Sequence, residues 1–148
     1  ILYVDERGVK VPIEVASSGI AQLIGMLLPL TLHDLSKSDT VIIEEPEVNL
    51  HPDLQIEVAK YLAKLSKKCR VFITTHSHYL LTELSNLYVA REVENIRAYL
   101  IDPEKGEIES LRIDEVEGIE MPKTIEHVLN VLASEAIESF KKATGLEI

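Results

Sequence analysis

The sequence has little of what secreted and membrane proteins need. Its single cysteine, Cys69, cannot form an internal disulfide and fits a reducing cytosol. The longest apolar stretch, residues 20–32, is interrupted by Gly25 and Pro29 and is shorter than the roughly 20 residues that cross a bilayer. No basic segment precedes a small-residue cleavage site. We therefore expect a cytoplasmic protein with no secretory signal and no membrane span.

Positive charge is also scarce. Lysine and arginine number 15 against 25 acidic residues, which leaves a net charge of −10. A protein that binds nucleic acid through its phosphates needs clustered basic side chains on one face. The one basic cluster, from Lys64 to Arg70, is typical of the solvated end of a helix. A nucleic-acid-binding accessory protein is therefore a disfavoured hypothesis.

What the chain does have is enough apolar material for one compact domain over residues 1–148, with 46% hydrophobic residues. Apolar periodicity and turn residues predict its elements. The predicted strands are Leu2–Val4, Val9–Val15, Thr40–Ile43, Arg70–Thr74, Ile96–Ile101 and Ile108–Ile113. The predicted helices are one from the serines at 17–18 that bends near Pro29, then Pro52–Ser66, Tyr79–Leu87 and about Lys123–Ala143. Turns are predicted at 6–8 and 102–106, and the last helix should end before Gly145.

The middle of the chain alternates strand, helix, strand, helix. This order predicts an α/β fold with a mostly parallel sheet and flanking helices, followed by a C-terminal hairpin and helix. The strands at 40–43 and 70–74 have the apolar composition of strands buried on both faces. In such sheets the functional residues gather at the carboxyl ends of the strands, where this chain has acids and histidines.

The acids at the end of the first of these strands are Glu44 and Glu45. Two adjacent carboxylates disfavour joint ionisation unless a cation lies nearby, and Mg²⁺ is the natural candidate. The alternative is that both side chains simply face solvent.

Three segments together resemble known motifs. Residues 41–52, Val-Ile-Ile-Glu-Glu-Pro-Glu-Val-Asn-Leu-His-Pro, resemble the Walker B strand and D-loop of ABC-type ATPases. Residues 71–77, Val-Phe-Ile-Thr-Thr-His-Ser, resemble the switch loop, and Ser17-Ser18-Gly19 resembles a short signature motif. Their order indicates an AAA-like, non-transporter P-loop ATPase head of the ABC type, related to the OLD and SMC proteins, with the resemblance covering about residues 10–90.

The resemblance implies roles for individual residues. Glu44 would take the magnesium position, where the family usually has Asp, and Glu45 the position of the catalytic base. His76 would be the switch residue that reaches the γ-phosphate of ATP. Asn49 and His51 would belong to the D-loop, His51 standing where transporters have Asp. The implied cofactors are ATP and Mg²⁺.

The signature motif also has a physical rationale of its own. Ser17, Ser18 and Gly19 precede a predicted helix, whose N-terminus offers unpaired N–H groups and a favourable dipole for an anion. In the ABC arrangement this surface faces ATP on the opposite subunit, so that ATP closes a homodimer. The alternative is a plain N-cap with no ligand.

The P-loop itself is missing: no Gly-x-x-x-x-Gly-Lys-[Ser/Thr] occurs in the sequence. We expect it in an N-terminal ATPase half, either in cis or as a separate chain. By itself this chain should then bind ATP weakly and hydrolyse it negligibly. Residues 91–148 extend beyond the motifs and should complete the lobe.

Two functions of different classes follow. The first is ATP hydrolysis by a head that dimerises around ATP; similar ATPases serve DNA repair, chromosome maintenance and phage defence, which implies a nucleic-acid-processing partner. The second is a non-hydrolysing, ATPase-like interaction module that binds a protein partner, with Glu44 marking lost magnesium chemistry.

Overall fold

The computed structural model describes residues 3–6, 9–13, 16–102 and 105–144, and every structural statement below refers to these. The predicted turn at Arg7-Gly8, the predicted strand ends at Leu2 and at 14–15, residues 103–104 of the later turn, and Gly145 lie outside them. The elements are β1 (Tyr3–Glu6), β2 (Val9–Pro12), α1 (Ser18–Leu32), β3 (Thr40–Glu44), α2 (Pro52–Ser66), β4 (Arg70–Thr74), α3 (His78–Val89), β5 (Tyr99–Asp102), β6 (Glu107–Ser110), β7 (Ile113–Asp114), β8 (Gly118–Ile119) and α4 (Lys123–Thr144).

The chain forms two compact units, Ile1–Asn95 and Ile96–Ile148. The first contains β1 to α3, and the second contains β5 to α4. A single domain over 1–148 stays a prediction.

The first unit is built around the parallel pair β3–β4. Their register runs from Thr40 opposite Arg70 to Glu44 opposite Thr74, so both strands end at the same level. The crossover between them is α2, which packs against α3. The buried side chains of these helices form the core: Val58, Ala59, Leu62, Ala63 and Leu65 from α2 and Leu80, Leu84 and Leu87 from α3. α2 also contacts β4, so this core and the parallel pair belong to one packed unit.

The sheet corrects one prediction. The fold is α/β as expected, but the described strands form four separate two-stranded sheets, and only β3–β4 is parallel. The pairs β1–β2, β5–β6 and β7–β8 are antiparallel. The reason is the length of the connections, because a parallel pair needs a long crossover whereas a short turn returns the chain antiparallel. Helices also follow β2 and β4, but among the described strands only the helical connection after β3 joins two strands that pair with each other.

The two parallel strands are also not buried on both faces as expected. Ile42 and Phe72, which are opposite each other in the register, are 72% and 60% exposed. Val41, Ile43, Val71 and Ile73 point to the other face and are half-buried. One face of this pair is therefore covered and the other is open.

The helices follow the predicted periodicity closely. α2 and β4 have the predicted bounds, and Ser17 is the N-cap of α1, with its hydroxyl accepting a bond from the Ile20 N–H. α1 continues without a break through Pro29 to Leu32, and the expected bend near Pro29 stays a prediction. A proline removes one backbone donor, and the turns around it can still form.

The second unit contains the predicted hairpin and helix. β5 pairs with β6 from Tyr99–Ser110 to Asp102–Glu107. The predicted strand at 108–113 divides into β6 and β7, and β7 pairs with β8 across a short turn. α4 begins at Lys123 as expected. None of the helices in the described ranges has both the length and the apolarity that a bilayer span requires.

Candidate functional site at the ends of the parallel strands

The candidate site begins where β3 and β4 end side by side. Glu44 and Thr74 are the last register pair. The chain then stays attached to β4 for one more residue, because the Glu45 N–H donates to the Thr74 carbonyl at 3.0 Å and lies 3.3 Å from the Thr74 hydroxyl. The two carboxylates of Glu44 and Glu45 are therefore held at the carboxyl edge of the pair, as the strand order predicts.

The turn after β3 has an unusual backbone. Glu45 has a φ of 43° and Asn49 a φ of 60°, both in the left-handed region. Such conformations cost a non-glycine residue about 1–2 kcal/mol, so the surrounding structure must hold them. Here the Val48 N–H donates to the Glu45 carbonyl at 3.1 Å and the Leu50 N–H to the Glu47 carbonyl at 3.0 Å.

The structure brings the two predicted catalytic residues together. His76 Nε2 lies 3.7 Å from Glu45 Oε1, although the residues are 31 positions apart in the chain. The His76 side chain is 89% exposed and that of Glu45 48% exposed. Water screens a pair this exposed, so it contributes little to stability. Both groups are instead open to a ligand that approaches the strand ends.

Glu44, the predicted metal residue, is exposed at the end of β3. No group of three His, Cys, Asp or Glu residues within the described ranges could hold a metal ion. Mg²⁺ is usually bound through one or two carboxylates together with substrate phosphates and water, rather than by an all-protein cage. One accessible carboxylate oxygen at Glu44 fits that kind of binding.

The predicted signature residues lie at the start of α1, and one of them, Gly19, lies against the turn that was predicted to be the D-loop. Ser17 caps α1, Ser18 is exposed and Gly19 is buried. A Cβ added at Gly19 would lie 2.7 Å from the Asn49 carbonyl oxygen, which is closer than real Cβ atoms come to other atoms. The first turn of α1 therefore rests directly on the backbone of the D-loop, and only glycine permits this approach.

The remaining D-loop residues have local contacts. Asn49 Nδ2 lies 3.5 Å from Gln22 Oε1 of α1. His51 is the N-cap of α2, with Nδ1 accepting a bond of 3.4 Å from the Asp53 N–H. Its ring also lies 3.5 Å from the Asp53 carboxylate, with both side chains exposed.

Sequence reasoning missed a buried acid in the same turn. Glu47 lies within the motif that resembles the Walker B strand and D-loop, which implies no role for it, yet it is only 8% exposed. Its Oε1 accepts hydrogen bonds from the Thr75 hydroxyl at 2.7 Å, the His76 N–H at 2.7 Å and the Ser77 N–H at 3.1 Å. The one signal in the sequence is its place between Pro46 and Val48, and a turn has no periodicity from which burial can be read.

Comparisons with known proteins show the family of the chain. The model of the family described as "AAA domain, putative AbiEii toxin, Type IV TA system" matches residues 1–82. The chain is 31% identical over 130 residues to the DNA repair protein RecN of Aquifex aeolicus (strain VF5), covering 86% of this chain and 24% of that protein. It is 42% identical over 50 residues to the endonuclease GajA of Bacillus cereus (strain VD045), covering 34% of this chain and 9% of GajA. The chain thus spans about a quarter or less of the length of these relatives.

A solved structure shows the same fold. It comes from work on the "structural biochemistry of ATP-driven dimerization and DNA stimulated activation of SMC ATPases". The TM-score is 0.53 at 11% sequence identity, and the match covers 84% of this chain and 66% of that one.

These findings define the class of the chain as an AAA domain. Because the family model matches more than half of the chain, the chain belongs to the AAA domain family described as putative AbiEii toxin, Type IV TA system.

Proposed function

We propose that this chain is the C-terminal lobe of a non-transporter, ABC-type ATPase head that hydrolyses ATP and dimerises around it. The observation that carries the proposal is the 3.7 Å approach of His76 Nε2 to Glu45 Oε1 at the ends of two parallel strands. In this proposal the P-loop comes from an N-terminal half, in cis or as a separate chain.

The chemistry divides between the two side chains. Glu45 orients the attacking water and accepts its proton while the water oxygen forms a bond to the γ-phosphorus and the bond to the β–γ bridging oxygen breaks. His76 donates a hydrogen bond to the γ-phosphate, where negative charge shifts during transfer. Glu44 would hold Mg²⁺, directly or through water, and the ion would supply positive charge that offsets the negative charge of the phosphates.

The signature residues supply the dimer contact in this proposal. The N-terminus of α1, with Ser17, Ser18 and Gly19, binds the phosphates of ATP held by the opposite subunit. Gly19 lies against the Asn49 backbone. The proposed D-loop is therefore next to the surface that would meet the opposite subunit. Asn49 and His51 lie in the segment that would face the same nucleotide.

A nucleic-acid-processing partner also fits. RecN is a DNA repair protein, GajA an endonuclease, and the SMC work concerns DNA-stimulated ATPases. The net charge of −10 disfavours a direct phosphate grip by this lobe. DNA contacts would then lie in other parts of the complete protein or in a partner.

The test is ATP hydrolysis by the complete ATPase, compared with Glu45→Gln. We expect turnover to fall by about 100-fold or more, because the amide cannot accept the proton. ATP-bound dimer should accumulate at the same time, measured by size-exclusion chromatography with light scattering. Glu115→Gln, the same change at an exposed acid in the second unit, is the matched control and should leave turnover unchanged.

The alternative, a non-hydrolysing interaction module, is favoured by the exposed apolar pair Ile42 and Phe72 and by Glu44 in place of the usual Asp. If the complete wild-type protein neither hydrolyses ATP nor dimerises with it, this alternative is the better account.

A further inference from the structure

One buried acid at the site has no part in the chemistry proposed above. Glu47 follows the candidate base by two residues, and Pro46 between them is completely buried. One of its oxygens accepts three hydrogen bonds, all from the consecutive residues Thr75, His76 and Ser77. A single carboxylate thus holds the whole segment that follows β4.

The second oxygen of this carboxylate shows that packing alone does not explain the residue. Glu47 Oε2 is buried and accepts no hydrogen bond from any described residue. Burying an acceptor without a partner costs free energy, typically about 1–3 kcal/mol. A side chain that only filled this space would do so at lower cost if it were apolar. The three hydrogen bonds that Oε1 accepts, and not the filling of space, therefore account for an acid at this position.

The His76 side chain needs such a support. Its ring is almost fully exposed, and its one polar contact with a described residue is with Glu45. Its position is therefore set by its backbone, and the His76 N–H donates directly to Glu47 Oε1 at 2.7 Å. Because Glu45 and Glu47 belong to one short turn, the same rigid segment carries the candidate base and the group that holds the switch histidine.

A second set of bonds fixes the end of the switch segment. The Ser77 hydroxyl donates to Gln55 Oε1 of α2 and accepts a bond from the Leu80 N–H at 3.1 Å. Gln55 Nε2 in turn donates to the Leu50 carbonyl at 2.9 Å, at the end of the D-loop turn. Gln55 thus holds the Ser77 side chain, while Glu47 Oε1 holds the backbone N–H groups of His76 and Ser77.

We propose that Glu47 is a positioning residue for hydrolysis, which acts through His76 by holding the switch backbone against the turn that carries Glu45. The inference rests on the proposed ATPase function. It predicts that losing the oxygen of Glu47 that accepts the three bonds impairs the chemical step and not the binding of ATP, because Glu47 itself is buried.

The experiment is a double-mutant cycle in the complete ATPase, with Glu47→Ala and His76→Ala alone and together. Rates are measured in single turnovers with enzyme in excess, so that slow variants are resolved. Misplacing a catalytic group by about 1 Å can cost about 100-fold. We therefore expect Glu47→Ala to lower kcat by about 10- to 100-fold with the KM for MgATP changed less than about threefold. In the His76→Ala background, Glu47→Ala should lower kcat further by less than about twofold.

Three further variants separate positioning from stability. Glu47→Gln keeps an oxygen that can accept the same three bonds and should retain most of kcat. Glu47→Asp keeps the charge but withdraws it by one methylene and should lose kcat; it carries the same cycle if Glu47→Ala does not fold. Leu62→Ala, in the core away from these bonds, should lower the unfolding temperature while the folded enzyme keeps its kcat.

The outcomes are distinct. An equal loss from Glu47→Ala with and without His76 overturns the positioning role and leaves the ATPase proposal intact. A Glu47→Asp variant that behaves as wild type also overturns the positioning role alone. If His76→Ala has no effect, the positioning role is overturned together with the part proposed for His76 in hydrolysis. A wild-type protein that hydrolyses no ATP overturns both proposals.

Discussion

The two units of the chain differ in how many buried apolar side chains they contain. Among the described residues, the buried aliphatic side chains and Cys69 belong to the first unit, with the exception of Ile119. The second unit leaves large apolar side chains exposed, both in its hairpin and along α4: Ile101, Ile108, Val116, Val128, Leu129, Val131, Leu132 and Ile137.

This difference explains where a demanding site can be built. The left-handed backbone at Glu45 and Asn49 and the buried acid Glu47 all cost free energy. They lie in the first unit, where α2 and α3 pack against each other and fix the turns around them. The second unit has regular elements but little buried surface of its own, and no strained or buried polar group like these occurs in its described part.

The largest expected effect is on the core of the first unit. Leu62→Ala should lower the free energy of unfolding by about 2–5 kcal/mol, because the side chain is buried and its removal leaves a cavity. Leu132→Ala in α4 should cost about 0.5 kcal/mol or less, since Leu132 is 56% exposed. Urea unfolding of the two variants measures the contrast.

An equal cost at both leucines would break the comparison. It would mean that the apolar side of α4 is covered in solution.

A smaller effect tests how dense the first unit is near the site. Gly19→Ala should destabilise the protein by about 1–3 kcal/mol, because the new Cβ would lie 2.7 Å from the Asn49 carbonyl oxygen. Gly25→Ala, in the same helix with nothing within 4 Å, should stabilise it by about 0.5–1 kcal/mol. Thermal unfolding of the pair gives opposite signs. Equal signs would show that α1 does not rest on the D-loop.

The smallest expected effect is on the pH dependence of stability, at two exposed turns, one in each unit. Here the two units should behave alike. Hydrogen bonds from the Ser36 hydroxyl and N–H lower the pKa of Asp39, and those from the Val116 and Glu117 N–H groups lower the pKa of Asp114. A carboxyl with a lowered pKa in the folded state adds stability above its ordinary value of 3.8, and this is lost as pH falls through the folded pKa.

Acid titration of stability, followed by circular dichroism, measures this loss. Asp39→Asn and Asp114→Asn should each flatten the dependence below pH 4 slightly and leave stability at pH 7 only a little reduced. A strong effect of one variant at neutral pH would contradict this, and would show that its turn supports more than itself.

Much of the fold could be predicted because it follows from periodic patterns. The apolar stripe of Val58, Leu62 and Leu65 predicted α2 with the observed bounds, and the run 70–74 predicted β4. Pairing could not be predicted in the same way, because a strand pattern does not say which partner completes the sheet. The exposure of Ile42 and Phe72 is a result of pairing and layering, so composition alone assigned them wrongly to a buried strand.

The candidate site also has one part that the sequence patterns predict and another part that depends on strand pairing. The motifs placed Glu44, Glu45 and His76 at strand ends, and the structure brings Glu45 and His76 within 3.7 Å. Their functional roles, and those of Ser17, Ser18, Gly19, Asn49 and His51, stay predictions. Glu47 was missed because its burial depends on residues 75–77, which reach it only through the parallel pairing of β3 with β4.

The exposed face of the β3–β4 pair and the outer edges of its two strands have a practical consequence when this chain is produced alone. Strands β3 and β4 pair only with each other among the described strands, so their outer edges present unpaired backbone groups beside the exposed Ile42 and Phe72. Such edges are templates for further strands. An isolated preparation should therefore aggregate as its concentration rises, and co-expression with the proposed N-terminal half should keep it in solution.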